Sequence, residues 1–211
     1  MSALPNDTER KLADAVDEIN RGEAAGSFWE STGLFFLEVI KIVVVAALVI
    51  VPIRFFIAQP FYVNGASMEP TFHDFDYLII NEIEYRFREP QRGDIIVFRS
   101  PEDDSEFFIK RVIGLPGEEV MIQDSQITIR NDEHPTGVML NEDYLASGTV
   151  TSGNSSWRLK NDEFFVLGDN RSASLDGRIF GPTDRDEIIG RAWVRAWPVS
   201  KWDVFESLTY N

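Results

Sequence analysis

Cysteine is absent from all 211 residues. That excludes a disulfide framework, a cysteine nucleophile and any cysteine-ligated zinc site. It fits either side of a bacterial membrane equally well. Histidine is scarce, with only His73 and His134, which leaves little room for a histidine metal centre. Basic charge is short as well: 20 Lys and Arg stand against 35 Asp and Glu, for a net charge of −15. A phosphate-binding surface needs clustered cations. The chain has no such cluster, which argues against nucleic acid as a partner. What remains is 44% hydrophobic and 26% charged, the balance of a chain that mostly folds. Its length suits one ordinary domain with a membrane segment or tail attached.

Residues 1–33 are acidic and polar, with weak helical spacing at Leu12, Val16 and Ile19. They read as a mobile tail or a short amphipathic helix. The run "LFFLEVIKIVVVAALVIVPIRFFI", residues 34–57, follows. Its uninterrupted apolar centre from Ile42 to Val51 is too short to cross a bilayer, but the whole run is long enough. Glu38 and Lys41 share a helix face and can pair or snorkel. Pro52 predicts a kink, and Arg54 can reach a headgroup layer. A buried core helix or an interfacial helix is the alternative. A cleavable signal peptide fits poorly, because its first segment would be basic. Orientation is weakly marked, with Arg21 before the run and Arg54 near its end.

Beyond Pro60 the pattern changes. "FYVNG", "DYLIINEIEYRF", "DIIVFRS", "FFIKRVIGLPG", "EVMIQDSQITIRN", "WRLKNDEFFVLGDN" and "GRAWVRAWP" are rich in β-branched and aromatic residues and separated by turn formers. This predicts a mainly β, mostly antiparallel domain over residues 58–211. Residues 131–156 are polar and turn-rich, and read as a small insert off the main sheet.

Ser67 stands in "NGASMEPTFHD". A serine hydroxyl needs an adjacent base to act as a nucleophile. The nucleophile elbow G-x-S-x-G fails, because Glu69 occupies the second glycine position. A Ser-His-Asp triad would need His73 or His134, and His73 sits in an acidic turn that reads as surface. Lys110 remains, in "EFFIKRVIGLPG". Strand alternation places Phe108, Lys110 and Val112 on one face and turns Arg111 to the other. An apolar setting lowers a lysine pKa, which a lysine base requires. The plain alternative is a strand lysine that reaches solvent.

A third segment, "VLGDNRSASLDGRIFG", does not fit a calcium loop, since Arg171 and Ala173 fall at ligand positions. By itself it reads as a structural turn, with Asp176 and Arg178 as an ion pair and Asp169 and Asn170 satisfying nearby backbone groups. Ser174 offers a hydroxyl suited to a neutral amine.

In series, the apolar run, "SMEPTF", "RGDIIVF", "KRVIGLPGE", "LGDNRSASLDGRIFG" and "IGRAWVRAWP" resemble the bacterial type I signal peptidases over residues 34–198. A single anchor and a small insert look like the Gram-positive type. The resemblance implies an antiparallel β peptidase domain of the signal-peptidase or LexA-like type behind one transmembrane helix, with a cytoplasmic tail and an extracytoplasmic domain. It implies Ser67 as nucleophile, Lys110 as general base, Ser174 orienting Lys110, and Asp176 with Arg178 as a structural pair. Met68, Pro70 and Thr71 would fix the turn. It implies no metal or cofactor. Its substrates are exported preproteins cut after small residues, and its setting is the bacterial cytoplasmic membrane. Phe61, Val63, Ile109, Val112 and Ile113 are candidate pocket lining.

Gly65 departs from many members, which carry a serine there that helps hold the oxyanion. The oxyanion would then rest on the Ser67 N–H, with a glycine N–H or a water. A serine at Gly65 would restore a donor unless the glycine is left-handed. Three rival readings share parts of this pattern. They are a self-cleaving regulator of the LexA type, a conjugation-type maturation peptidase of the same superfamily, and a membrane-anchored β domain that only binds partners. The membrane run argues against the first, and the joint presence of Ser67 and Lys110 argues against the last.

Overall fold

The computed structural model describes residues 7–56, 58–103, 105–208 and 210. The first six residues of the expected tail, Ile57 at the end of the expected span, and Asn211 lie outside them. The chain divides into two compact units at Pro52 and Ile53.

The first unit is helical. Helix α1, Asp7–Phe56, takes in both the acidic segment and the apolar run. Asp7 sits in its first turn, where the helix dipole favours negative charge. The helix continues beyond Pro52 to Phe56, so the proline does not end it. Its window Leu34–Val51 is long and apolar enough to cross a membrane, and no residue of that window is buried.

The second unit is mainly antiparallel β. Its strands are β1 (Ala58–Tyr62), β2 (Tyr77–Asn81), β3 (Ile95–Arg99), β4 (Phe107–Gly114), β5 (Glu119–Gln123) and β6 (Gln126–Arg130). They continue with β7 (Val138–Met139), β8 (Ser155–Arg158), β9 (Glu163–Leu167), β10 (Thr183–Asp184), β11 (Ile188–Trp197) and β12 (Asp203–Val204). A one-turn helix, α2 (Gly177–Phe180), follows β9. One sheet runs β1-β2-β11-β3-β4-β9-β10, with β12 on β11; the other runs β7-β6-β5-β8.

Alternation explains the layering. In β3 the odd residues Ile95 and Val97 enter one core cluster with Leu78, Ile80, Met68 and Phe72. The even residues Ile96 and Phe98 enter another with Val112, Phe164 and Val166. Both faces of β3 are thus covered, and it reads as a continuous apolar run. A third cluster joins the sheets through Ile113, Val120, Ile122, Ile129 and Phe165. The β5–β6 hairpin turns on Asp124 and Ser125, both at positive φ, as tight hairpins of this hand require.

Two segments differ from their sequence reading. "EIEYRF" leaves the sheet after Asn81 and forms a short 3-10 turn at Glu84–Arg86. The Asn81 side chain accepts the Glu84 N–H at 3.2 Å and donates to the Glu84 carboxylate at 3.1 Å, a local capping that outcompetes the ladder. Within residues 131–156, β7 pairs with β6 and the start of β8 pairs with β5, so part of the segment belongs to the second sheet.

Candidate active site

The turn carrying Ser67 is fixed from beneath. Met68 and Phe72 are fully buried in the first cluster, and Phe72 N–H donates to Met68 O at 2.9 Å. Val63 N–H donates to Asp76 O, and Phe75 N–H to Val63 O, each at 2.9 Å. Those bonds close the loop at its base. Ser67 itself stays partly exposed between the anchors.

Lys110 arrives from β4, whose register sets it opposite Ile96. Its Nζ lies 3.0 Å from Ser67 Oγ and 2.8 Å from Ile109 O. The Phe108 ring centroid is 5.3 Å away. The residue is only 4% exposed. Burial pulls its pKa from 10.5 down to about 8, against the opposing pull of the Asp176 and Asp169 carboxylates. Burial therefore brings the neutral amine within reach near pH 8, and the Nζ meets the serine hydroxyl at hydrogen-bond distance.

A cleft of about 310 Å³ opens over the pair. Phe61, Val63 and Ile109 line it together with Ala66, Leu78 and Phe107. Val112 and Ile113, also candidates from sequence, do not: Val112 packs into the cluster around Phe98, and Ile113 into the one shared with the second sheet.

The segment after β9 holds the two halves of the site together. Asn170 N–H donates to Ser67 O, and its side-chain amide to Ala66 O, each at 3.0 Å. Asp169 takes Arg111 bidentately, at 2.9 and 2.6 Å, and also accepts from Thr71 Oγ1 at 2.5 Å. One carboxylate thus ties the residue after Lys110 to the serine turn. Gly168 is required by close approach. A Cβ there would lie 2.1 Å from Ser174 Oγ and 2.5 Å from Ser67 O. The sequence alone makes Asp169 and Asn170 local turn residues, but their partners lie far away in the chain. The available signal was Arg111, whose alternation away from Lys110 buries a second cation that needs a carboxylate.

Asp176 and Arg178 form the expected pair, bidentate at 2.8 Å in both bonds. Asp176 also caps α2 and accepts the Gly168 N–H at 3.1 Å. Ser174 Oγ is buried and, among the described residues, has no hydrogen-bond partner. The expected bond to Lys110 is not formed, since the bonds found at Nζ go to Ser67 Oγ and Ile109 O.

Gly65 has φ +97°, in the left-handed region. Its N–H donates to Asp74 Oδ1 at 2.8 Å, so that N–H is not free for an oxyanion. Among the described residues, no acceptor pairs with the Ser67 N–H. No atom lies within 4 Å of a Cβ built on Gly65, so backbone strain alone decides the effect of substitution. Gly65→Ser is expected to destabilise the domain by about 1–2 kcal/mol and to leave cleavage no faster. A thermal melt beside a cleavage assay checks both; a faster, equally stable variant would contradict the strain argument.

The signal peptidase family model, peptidase S26, matches residues 36–197. A probable signal peptidase I-2 from Synechocystis sp. is 39% identical over 172 residues, covering 79% of this chain and 75% of that protein. Signal peptidase I of Leptolyngbya laminosa is 40% identical, covering 78% of this chain and 81% of that one. Signal peptidase IB of Staphylococcus aureus is 29% identical, covering 79% and 92%. Among solved structures, a signal peptidase I from Enterococcus faecalis V583 aligns at 32% identity over 49% of this chain and 97% of that one, with a TM-score of 0.42. The chain belongs to the signal peptidase family, peptidase S26, and is a signal peptidase I-type peptidase that cleaves signal peptides from preproteins.

Proposed function

We propose that Ser67 and Lys110 form the catalytic dyad of a membrane-bound serine endopeptidase. Lys110, as the free amine, takes the Ser67 Oγ proton while Oγ attacks the carbonyl that ends the signal peptide. The ammonium then gives that proton to the leaving amine of the mature chain. The resulting acyl-enzyme is opened by water, whose proton Lys110 takes and returns to Ser67. The unpaired Ser67 N–H is the candidate oxyanion donor. The small apolar cleft suits small residues at the first and third positions before the cut. Ser174 is assigned to the free amine as it turns during the reaction, on the strength of its unpartnered hydroxyl. The observation that carries the reading is the 3.0 Å contact between Ser67 Oγ and a buried lysine.

Residues 34–57 are assigned as a single transmembrane span. Residues 1–33 then lie in the cytoplasm, and residues 58–211 form the extracytoplasmic peptidase domain of the bacterial cytoplasmic membrane. The partners are the lipid bilayer and exported preproteins. An aromatic row on the second unit supports a membrane-surface setting: Tyr62 pairs with Tyr77, and Tyr77 with Trp197, across three strands. Those rings are 65%, 44% and 61% exposed, and Trp and Tyr favour the bilayer interface.

The pH dependence of preprotein cleavage tests the dyad. Only the neutral amine accepts a proton, so the rate should climb as pH rises towards about 8 and level off above it. A profile flat between neutral pH and that point would remove Lys110 as the base.

A further inference from the structure

Tyr144 lies between β7 and β8 and does not line the cleft. Its ring centroid is 4.3 Å from the Arg111 guanidinium carbon. Its hydroxyl accepts from Arg171 Nη2 at 3.0 Å and donates to Glu142 Oε1 at 2.7 Å. Tyr210 packs edge-on against the same ring, at 6.1 Å between centroids. Arg111 pairs with Asp169, and Arg171 Nε donates to Gly168 O at 3.1 Å. One side chain therefore touches both arginines that frame the Gly168–Asp169 step. Burial pushes the Tyr144 hydroxyl pKa up, so it stays a neutral donor across the working range.

The charged groups facing Lys110 are two carboxylates, each matched by an arginine. Asp176, at the start of α2, holds Arg178; Asp169, after β9, holds Arg111. The other neighbours carry no charge: Ser67 Oγ on its turn, Ile109 O and the Phe108 ring on β4 itself, and Ile96 opposite on β3. A carboxylate released from its arginine would favour the ammonium form and withdraw the base. The Asp176 pair is additionally held by the Arg178 N–H and the Gly168 N–H. The Asp169 pair has an aromatic face stacked on its cation.

We propose that Tyr144 is a positioning residue for the Ser67–Lys110 pair, acting through Arg111. Its ring holds the guanidinium on Asp169 and shields that pair from water, so the Asp169 charge is mostly matched locally and pulls on Lys110 less than a bare carboxylate would. The segment between β7 and β8 thereby tunes the working pH of a site it does not enter. This rests on Lys110 being the base.

Cleavage measured across roughly pH 6–10 for the wild type, Tyr144→Leu and Tyr144→Phe tests it. Tyr144→Leu removes the aromatic face at similar bulk. Its midpoint should move up by roughly half a pH unit or more, making it about threefold slower near neutral pH, with KM unchanged. Tyr144→Phe keeps the ring and should keep the wild-type midpoint. Should Tyr144→Leu not fold, Tyr144→Met carries the same comparison. A wild-type limb near pH 8 that the ring-less variant leaves in place overturns the role of Tyr144 alone. A wild type with no such limb overturns the lysine base, and this proposal with it.

Discussion

Lys110→Met is expected to lose cleavage by at least about a thousandfold while becoming more stable. Burial lowers the lysine pKa from 10.5 to about 8. Between those values the unfolded chain holds a proton that the folded protein lacks, so stability rises with pH there. Below about pH 8 both states are protonated and the folded protein carries the whole penalty of a buried ammonium. That fall in pKa corresponds to about 3 kcal/mol, which an uncharged side chain of similar length does not incur. At pH 7 the variant should therefore melt several degrees higher than the parent. Chemical denaturation at neutral and alkaline pH measures it. The gain should shrink as pH passes through the window above 8. A variant no more stable than the parent would mean that the lysine is not held in a form that favours deprotonation.

Asp169→Ala should be the most damaging single change outside the dyad. It leaves the Arg111 guanidinium, whose residue is 3% exposed, without its carboxylate, and it frees the Thr71 hydroxyl. Breaking a buried pair in this way costs about 3–5 kcal/mol. Arg111→Leu added to Asp169→Ala should recover part of that loss, because it removes the stranded cation, but it should not recover cleavage. The serine turn would still lack its tie to β4. Equal stability of Asp169→Ala and the parent, in a denaturant titration, would show that the pair carries no weight in the fold.

The strand pattern was legible because alternation and turn residues are local. β3, β4 and β9 fall within runs that sequence marked, and β11 starts two residues before its run, at Ile188. The Ser67–Lys110 pairing was legible by elimination and resemblance, but the strand face alone left Lys110 either buried or reaching solvent, and only the packing buries it. What was not legible depends on register between distant strands. Arg111 and Asp169 are 58 residues apart, and Asn170 reaches Ala66 across 104; no local rule joins them. Gly65 carries a backbone sign that composition cannot show. Val112 is only a candidate for the cleft from its apolar character, and the sheet packs it into the cluster around Phe98 instead. Tyr144 lay in a segment that looked like loop alone, and its ring matters only because Arg111 lies beneath it.

The central claim is that Ser67 and Lys110 act as one unit. Its most direct measurement compares the preprotein cleavage rates of Ser67→Ala, Lys110→Met and the double variant, each shown to be folded. Groups that share one proton transfer are not additive: once either is gone, the other has nothing left to do. All three variants should therefore share the same residual rate. A double variant slower than both singles, by the product of their separate losses, would contradict the dyad and give the two residues independent roles.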